Sequence, residues 1–197
     1  MINPKIEINN RVISESHSPY VIAELSANHN GSIETAMKII EEAKLANADA
    51  VKLQTYTAET ITLESSEPDF QIKGGLWNGQ TLYELYKGAH MPWDWHKPLF
   101  VKAKELGITI FSSPFDFTAV DLLEKLDAPA YKIASFELVD LPLIARVAKT
   151  GKPMIISTGM ANETEIKEAV DTARENGCVE LLVLHCVSGY PAPAEQY

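Results

Sequence analysis

The sequence is poor in cysteine, in basic residues and in long apolar runs. Two cysteines, Cys178 and Cys186, occur among 197 residues, which excludes a disulfide framework and is typical of a reducing compartment. Lysine and arginine number 17 against 27 aspartates and glutamates, a net charge of −10 that argues against a general nucleic-acid surface. Because the sequence has neither a run of about 18 apolar residues nor a signal-peptide pattern, we expect a cytoplasmic protein without membrane contact.

Glycine-rich phosphate-binding loops are also missing. Neither GxGxxG nor GxxxxGK[ST] follows a predicted strand, which disfavours a nucleotide-binding doubly wound sheet. Six candidate strands alternate with helical patterns, as in parallel βαβ units, and cover 20–25, 50–55, 109–113, 131–135, 154–158 and 181–186. The favoured fold class is therefore a (β/α)8 barrel, and about six βα units are expected in this chain because a whole barrel needs about 250 residues.

The chain divides into a short N-terminal segment and one β/α domain. Two alternating segments, 6–8 and 11–13, flank Asn9-Asn10, a dipeptide typical of tight hairpin turns. We expect residues 1–19 to form a β-hairpin that closes the bottom of the barrel, and residues 20–197 to form the incomplete barrel domain. Asn162 and Glu165 predict a capping box at the start of a helix over 163–175.

A long connection, roughly 56–91, separates the second barrel strand from its helix. Ordered loops of this length in α/β proteins are usually lids or binding loops, and this one would lie at the C-terminal face, where barrel active sites sit. The alternative is a surface insertion packed by its own aromatic residues.

Polar residues at the carboxyl ends of the strands are the candidates for a site, because the barrel interior below them is filled by apolar side chains. They are Glu24 and Ser26, Lys52 and Gln54, Ser112, Ser113 and Asp116, Lys132, Ser135 and Glu137, Ser157 and Thr158, and His185, Ser188 and Tyr190. A buried lysine needs a carboxylate or an anion. Lys52 and Lys132 therefore either pair with Glu24 and Glu137, bind a phosphate together with serine hydroxyls, or include the Schiff-base lysine of an aldolase.

The histidines and cysteines form no complete metal site at recognisable ligand spacing. His185 and both cysteines are expected in the core, and His96 is expected to be structural at a helix start. His29 follows the first barrel strand, and we expect it to contact substrate, to stabilise the turn or to be solvated.

Six segments, in order along residues 20–197, resemble the nonulosonic (sialic) acid synthase family. They are IAELSANHNG at 22–31, VKLQTY at 51–56, SSPFD at 112–116, PAYKIAS at 129–135, ISTGM at 156–160, and LHC at 184–186 with Tyr190-Pro191. The long connection and VSGYPAP at 187–193 are most similar to the pseudaminic acid branch, with the legionaminic and N-acetylneuraminic acid branches as alternatives. The resemblance covers the N-terminal part of the family's barrel domain, and we expect this sequence to hold no counterpart of the family's C-terminal antifreeze-like domain.

The resemblance implies a (β/α)8 barrel that condenses phosphoenolpyruvate with an open-chain amino sugar and releases phosphate. In the pseudaminic branch the sugar is 2,4-diacetamido-2,4,6-trideoxy-L-altrose. The resemblance also implies a homodimer at full length and a divalent metal, Mn2+ or Mg2+, whose histidine ligands lie beyond Tyr197. We therefore expect no metal ligand in this chain. A fragment that binds phosphoenolpyruvate without catalysis is a further alternative.

The same resemblance assigns roles position by position. Glu24 corresponds to the acid/base residue. The phosphoenolpyruvate contacts correspond to Lys52, Ser113, Lys132, Ser135 and Ser188, and the sugar contacts to Gln54, Tyr190 and Asn78. Ser188 stands where the N-acetylneuraminic acid branch has asparagine, which favours a different sugar.

Overall fold

The computed structural model describes residues 5–186 and 193–196 of the chain. Within them the strands are β1 Ile6–Ile8, β2 Arg11–Ile13, β3 Ile22–Glu24, β4 Ala50–Thr55, β5 Thr109–Pro114, β6 Tyr131–Ile133, β7 Met154–Ser157 and β8 Leu181–Leu184. The helices are α1 Ile33–Leu45, α2 Ala58–Ile61, α3 Leu82–Ala89, α4 Trp93–Leu106, α5 Phe117–Lys125, α6 Leu141–Ala148 and α7 Glu163–Glu175. Short 3-10 turns cover Pro68–Phe70, Phe136–Val139 and Ala194–Gln196. All six predicted barrel strands are present, each within a few residues of its expected bounds.

Two compact units make up the chain. One comprises Val21–Leu126, and the other combines Met1–Tyr20 with Asp127–Tyr197. Each contains three parallel strands whose spatial neighbours are also neighbours in the chain: β3, β4 and β5 in the first, and β6, β7 and β8 in the second. This order is the one that right-handed βαβ crossovers produce.

The unit over 21–126 has its core between β4 and the helices α1 and α4. One face of α1 is buried, with Ala36, Ile40 and Ala43 packed in a cluster that includes Leu53 of β4. The hydroxyl of Ser32 accepts a hydrogen bond from the amide of residue 35 at 3.1 Å, which satisfies one free donor at the start of α1. The buried stripe of α1 and this cap explain why a helix forms directly after β3.

The unit over 127 onwards carries the N-terminal hairpin. β1 and β2 pair antiparallel around Asn9 and Asn10, whose φ angles of 49° and 66° are those of a tight left-handed turn. The amide of Glu7 donates to Glu180 Oε1 at 2.7 Å, just before β8. The hairpin is thereby tied to the start of a barrel strand, while its place at the barrel bottom stays a prediction.

Helix α7 begins as the sequence predicts. Asn162 Oδ1 accepts from the amide of Glu165 at 3.0 Å, and Glu165 Oε2 accepts from the amide of Asn162 at 2.9 Å. This reciprocal capping box satisfies two donors that have no partner inside the helix.

The long connection after β4 is partly helical. It holds α2, α3 and an isolated bridge between Gln71 and Thr81. Tyr56 packs edge-on against Tyr86 of α3 and against Phe115, with ring centroids 5.8 and 5.2 Å apart. The connection is therefore anchored by aromatic contacts beside the carboxyl ends of β4 and β5, although Trp77 itself is half exposed.

Among the described residues, no helix combines the length and apolar character needed to cross a bilayer.

Candidate functional site

A buried lysine lies at the centre of the candidate site in the unit over 21–126. Lys52 Nζ is 2.9 Å from Glu24 Oε2 and 3.4 Å from Ser113 Oγ. The Lys52 side chain is 4% exposed, whereas the Glu24 side chain is 52% exposed. The ammonium group is therefore held inside the protein, and its carboxylate partner faces solvent.

Strand register explains this cluster. Glu24 of β3 is registered with Lys52 of β4, and Gln54 two residues further is registered with Ser113 of β5. Side chains at i and i+2 of a strand share a face, so these four residues project from the same side of the three strands. The strand-end candidates Glu24, Lys52, Gln54 and Ser113 therefore lie on one face of the sheet.

Gln54 is oriented by a residue of the loop after β3. The Ser26 hydroxyl donates to Gln54 Oε1 at 2.9 Å. Ser26 has a φ of 48°, a left-handed conformation that is unfavourable for a residue with a Cβ. With its oxygen occupied by Ser26, Gln54 keeps its amide N–H groups for other partners.

A second polar cluster lies on the opposite face of the same strands, and it includes a residue that the sequence reasoning missed. Thr55 Oγ1 is 2.8 Å from His96 Nε2 and 2.7 Å from Ser112 Oγ. All three side chains are fully buried. Burial lowers the pKa of His96 to about 4. The period-two pattern was the available signal, since Thr55 follows Leu53 on the face that packs against helices.

The predicted site residues of the other unit lie around the end of β6. Lys132 is in β6, and Ser135 begins the 3-10 turn Phe136–Val139. Glu137 in that turn has a buried Oε2 without a hydrogen-bond partner among the described residues. Burial raises the pKa of Glu137 to about 7, against the attraction of the Lys132 charge. This carboxyl is therefore partly protonated near neutral pH.

Asn78 and the remaining candidates have less defined environments. Asn78 is exposed, and its Oδ1 accepts from the amide of Gly74 at 2.6 Å, so the side chain closes a turn in the long connection. Asp116 caps α5 by accepting from the amide of residue 118 at 2.9 Å. Ser188 and Tyr190 lie outside the described residues.

Two burial expectations differ from the structure, those for His185 and Cys186, and for His29 the structure favours the turn-stabilising alternative. His29 is not solvated: it is buried against Trp95, and its Nδ1 accepts from the amide of Gly31 at 3.1 Å, which stabilises the turn. His185 is exposed and Cys186 is only half-buried, because β8 is a strand with partly exposed side chains throughout.

The described residues contain no group of three or more histidine, cysteine, aspartate or glutamate side chains that would hold a metal ion. The donor set around Lys52 also does not suit a cation, because the ammonium occupies the position beside Glu24.

Comparisons with known proteins point to one family. Residues 39–197 match the NeuB family. The chain is 48% identical over 177 residues to the pseudaminic acid synthase of Helicobacter pylori, covering 90% of this chain and 52% of that protein. It is 38% identical over 176 residues to the N,N'-diacetyllegionaminic acid synthase of Campylobacter jejuni, covering 88% and 52%. The chain thus spans about half the length of these curated relatives.

A solved structure matches nearly the whole chain. The N-acetylneuraminic acid synthetase of Leptospira borgpetersenii, crystallised with citrate, is 27% identical with a TM-score of 0.84, over 98% of this chain and 62% of that protein. The predicted parallel β/α fold of the sialic acid synthase barrel type, with six strands in this chain, is confirmed. The strand order, the motifs and the family match lead to one conclusion: the chain belongs to the NeuB family.

Proposed function

We propose that the protein containing this chain condenses phosphoenolpyruvate with 2,4-diacetamido-2,4,6-trideoxy-L-altrose and water, giving pseudaminic acid and phosphate. The observation that carries the proposal is the buried Lys52 ammonium, 2.9 Å from Glu24 and 3.4 Å from Ser113. An ammonium and a hydroxyl next to a carboxylate supply hydrogen-bond donors for an anion and a group that can transfer a proton, which supports the proposal. The greater similarity to a pseudaminic than to a legionaminic acid synthase supports the choice of sugar.

The proposed reaction forms one carbon–carbon bond and replaces the carbon–oxygen bond to phosphate with a carbon–oxygen bond from water. The methylene carbon of phosphoenolpyruvate bonds to the aldehyde carbon of the sugar, whose oxygen takes a proton. Water adds to the neighbouring cationic carbon and releases one proton, which balances the proton taken up by the aldehyde oxygen. The hydroxyl proton that remains is transferred to the departing phosphate. The bond from that carbon to the phosphate oxygen then breaks, leaving a carbonyl group and free phosphate.

The chain's own residues bind the anion and move the proton in this scheme. Lys52 and Ser113 donate to phosphate oxygens, and Glu24 transfers the proton to or from the reacting oxygen. The remaining assignments rest on sequence resemblance: Lys132, Ser135 and Ser188 as further phosphoenolpyruvate contacts, and Gln54, Tyr190 and Asn78 as sugar contacts.

A Schiff-base aldolase is the less favoured alternative. Its lysine must attack a carbonyl carbon as a neutral amine with a free lone pair. Lys52 Nζ instead donates to a carboxylate oxygen at 2.9 Å, the geometry of a charged ammonium. Borohydride trapping of a substrate on Lys52 would overturn our assignment.

A divalent metal, Mn2+ or Mg2+, is expected of the whole protein, but the described residues supply no ligand set for it. We therefore assign no step in this chain to a metal. The homodimer and the cytoplasmic location likewise stay predictions.

The reaction is tested on the whole protein by measuring phosphate released from phosphoenolpyruvate. We expect release that depends on the diacetamido altrose derivative and on Mn2+ or Mg2+. Release with N-acetylmannosamine but not with the altrose derivative would contradict the sugar assignment.

The anion site is tested separately by calorimetric titration of the chain with phosphoenolpyruvate. Lys52→Met removes the buried ammonium while keeping side-chain volume, and we expect binding to weaken by about tenfold or more. Lys38→Met, at an exposed position of α1, is the matched control and should bind as the unsubstituted chain does. Equal affinities for the two variants would refute the role of Lys52.

A further inference from the structure

The polar cluster of Thr55, His96 and Ser112 lies directly behind the anion site. Thr55 and Ser112 belong to the same strand ends as Gln54 and Ser113, but their side chains project to the opposite face. His96 comes from α4, which covers that face. The cluster therefore connects β4, β5 and α4 beside the strand ends that carry the anion site.

The hydrogen bonds of this cluster run in one direction. His96 Nδ1 is 3.3 Å from the carbonyl oxygen of Pro92, which only accepts, so Nδ1 carries the proton. Burial lowers the pKa of His96 to about 4, so the ring is neutral and Nε2 accepts from the Thr55 hydroxyl. The Thr55 oxygen in turn accepts from Ser112 at 2.7 Å. The Thr55 hydroxyl therefore has one orientation, and the Ser112 hydroxyl, which donates to Thr55, also lies 3.4 Å from the carbonyl oxygen of Ser113.

Burying polar side chains between these strands and α4 costs free energy of desolvation. Apolar side chains of the same shape would pack between strands and helix without needing partners, and they are often equally or more stabilising. A fully satisfied buried network instead fixes a single arrangement of the elements that it joins. Here the fixed elements carry Ser113, whose hydroxyl is 3.4 Å from Lys52 Nζ.

We propose that Thr55, His96 and Ser112 are positioning residues that hold the ends of β4 and β5 so that Lys52 and Ser113 keep the spacing a phosphate requires. This inference rests on the proposed function, because it concerns the same anion site. The three residues touch no substrate, and they act on the anion site through the backbone of β4 and β5.

Matched substitutions at Thr55 test the network. Thr55→Val keeps the shape and removes the hydroxyl, and Thr55→Ser keeps the hydroxyl. Affinity for phosphoenolpyruvate is measured on each folded variant by calorimetry, and the free energy of unfolding by urea titration. We expect Thr55→Val to bind about tenfold more weakly and Thr55→Ser to bind within about twofold of the unsubstituted chain. If Thr55→Val loses stability at unchanged affinity, the network is merely structural and the inference fails.

The imidazole of His96 gives an independent readout. Nitrogen-15 spectra should show Nδ1 protonated and Nε2 unprotonated from pH 5.5 to 8, and the Nε2 resonance should shift in Thr55→Val, which removes its donor, but not in Thr55→Ser. A proton on Nε2 would overturn the inference. If the unsubstituted chain binds no phosphoenolpyruvate, the proposed function fails separately. In that case the positioning role is tested by the amide resonances of Ser113 and Lys52. These resonances must shift in Thr55→Val and not in Thr55→Ser, and unshifted resonances in Thr55→Val would refute the inference.

Discussion

Glu137 should make the stability of the chain fall as the pH rises toward neutrality. Burial raises the pKa of this carboxyl from 4.5 to about 7. The folded state therefore binds more protons than the unfolded state between these two values, and the free energy of unfolding decreases with pH across that window. The shift of about 2.5 units corresponds to about 3 kcal/mol at pH 8, relative to pH 4.5.

The substitution Glu137→Gln removes the charge and keeps the shape. We expect its free energy of unfolding, relative to that of the unsubstituted chain, to rise by about 3 kcal/mol between pH 4.5 and 8. Urea titrations at half-unit pH steps measure this difference directly. Carbon-13 spectra of the Glu137 carboxyl give its pKa in the folded state.

Lys132→Met is a control that should raise the pKa of Glu137 further instead of abolishing its titration. The Lys132 charge lowers the pKa of Glu137 by attraction, so its removal should move the titration midpoint above 7. A carboxyl midpoint near 4.5, or a pH-independent difference between Glu137→Gln and the unsubstituted chain, would refute the argument from burial.

Three further predictions concern separate parts of the chain. Because burial lowers the pKa of His96 to about 4, the free energy of unfolding should fall by about 3 kcal/mol as the pH decreases from 6.5 to 4. His96→Gln should flatten this pH dependence in urea titrations, and an unchanged dependence would contradict the prediction. Asn162→Ala removes half of a capping box and should lower the free energy of unfolding by about 1 kcal/mol, measured by thermal denaturation against Glu168→Ala at an exposed position of the same helix; equal stability of the two variants would contradict it. Ser26→Gly relieves the left-handed backbone but releases Gln54, so we expect unchanged or higher stability with weaker sugar binding in the whole protein; unchanged sugar affinity would refute the role of Ser26.

The strands were predictable because their signal is local. Each consists of a short β-branched or apolar run after a turn, and β4 occupies the predicted range Ala50–Thr55 without deviation. The turn at Asn9-Asn10 and the cap at Asn162 are equally local, since the side chains involved are at most three residues apart.

The pairing of Glu24 with Lys52 was one of several open interpretations, because register is not encoded within a single strand. The network of Thr55, His96 and Ser112 was missed for the same reason: it joins residues about 40 and about 60 positions apart that meet only once α4 covers the strands. The exposure of His185 also could not be predicted from its neighbours in the sequence, since it depends on what packs against β8.

The long connection between β4 and α4 adds little to the entropic cost of forming the sheet. Ala50 and its registered partner Thr109 are about 60 residues apart, whereas Tyr131 and its partner Met154 are about 25 residues apart. Loop-closure entropy grows only with the logarithm of length, so the longer crossover costs about 0.8 kcal/mol more. This is about the free energy of burying one methylene group. The connection over 56–91 can therefore lengthen or shorten with almost no entropic effect on the pairing of β4 with β5.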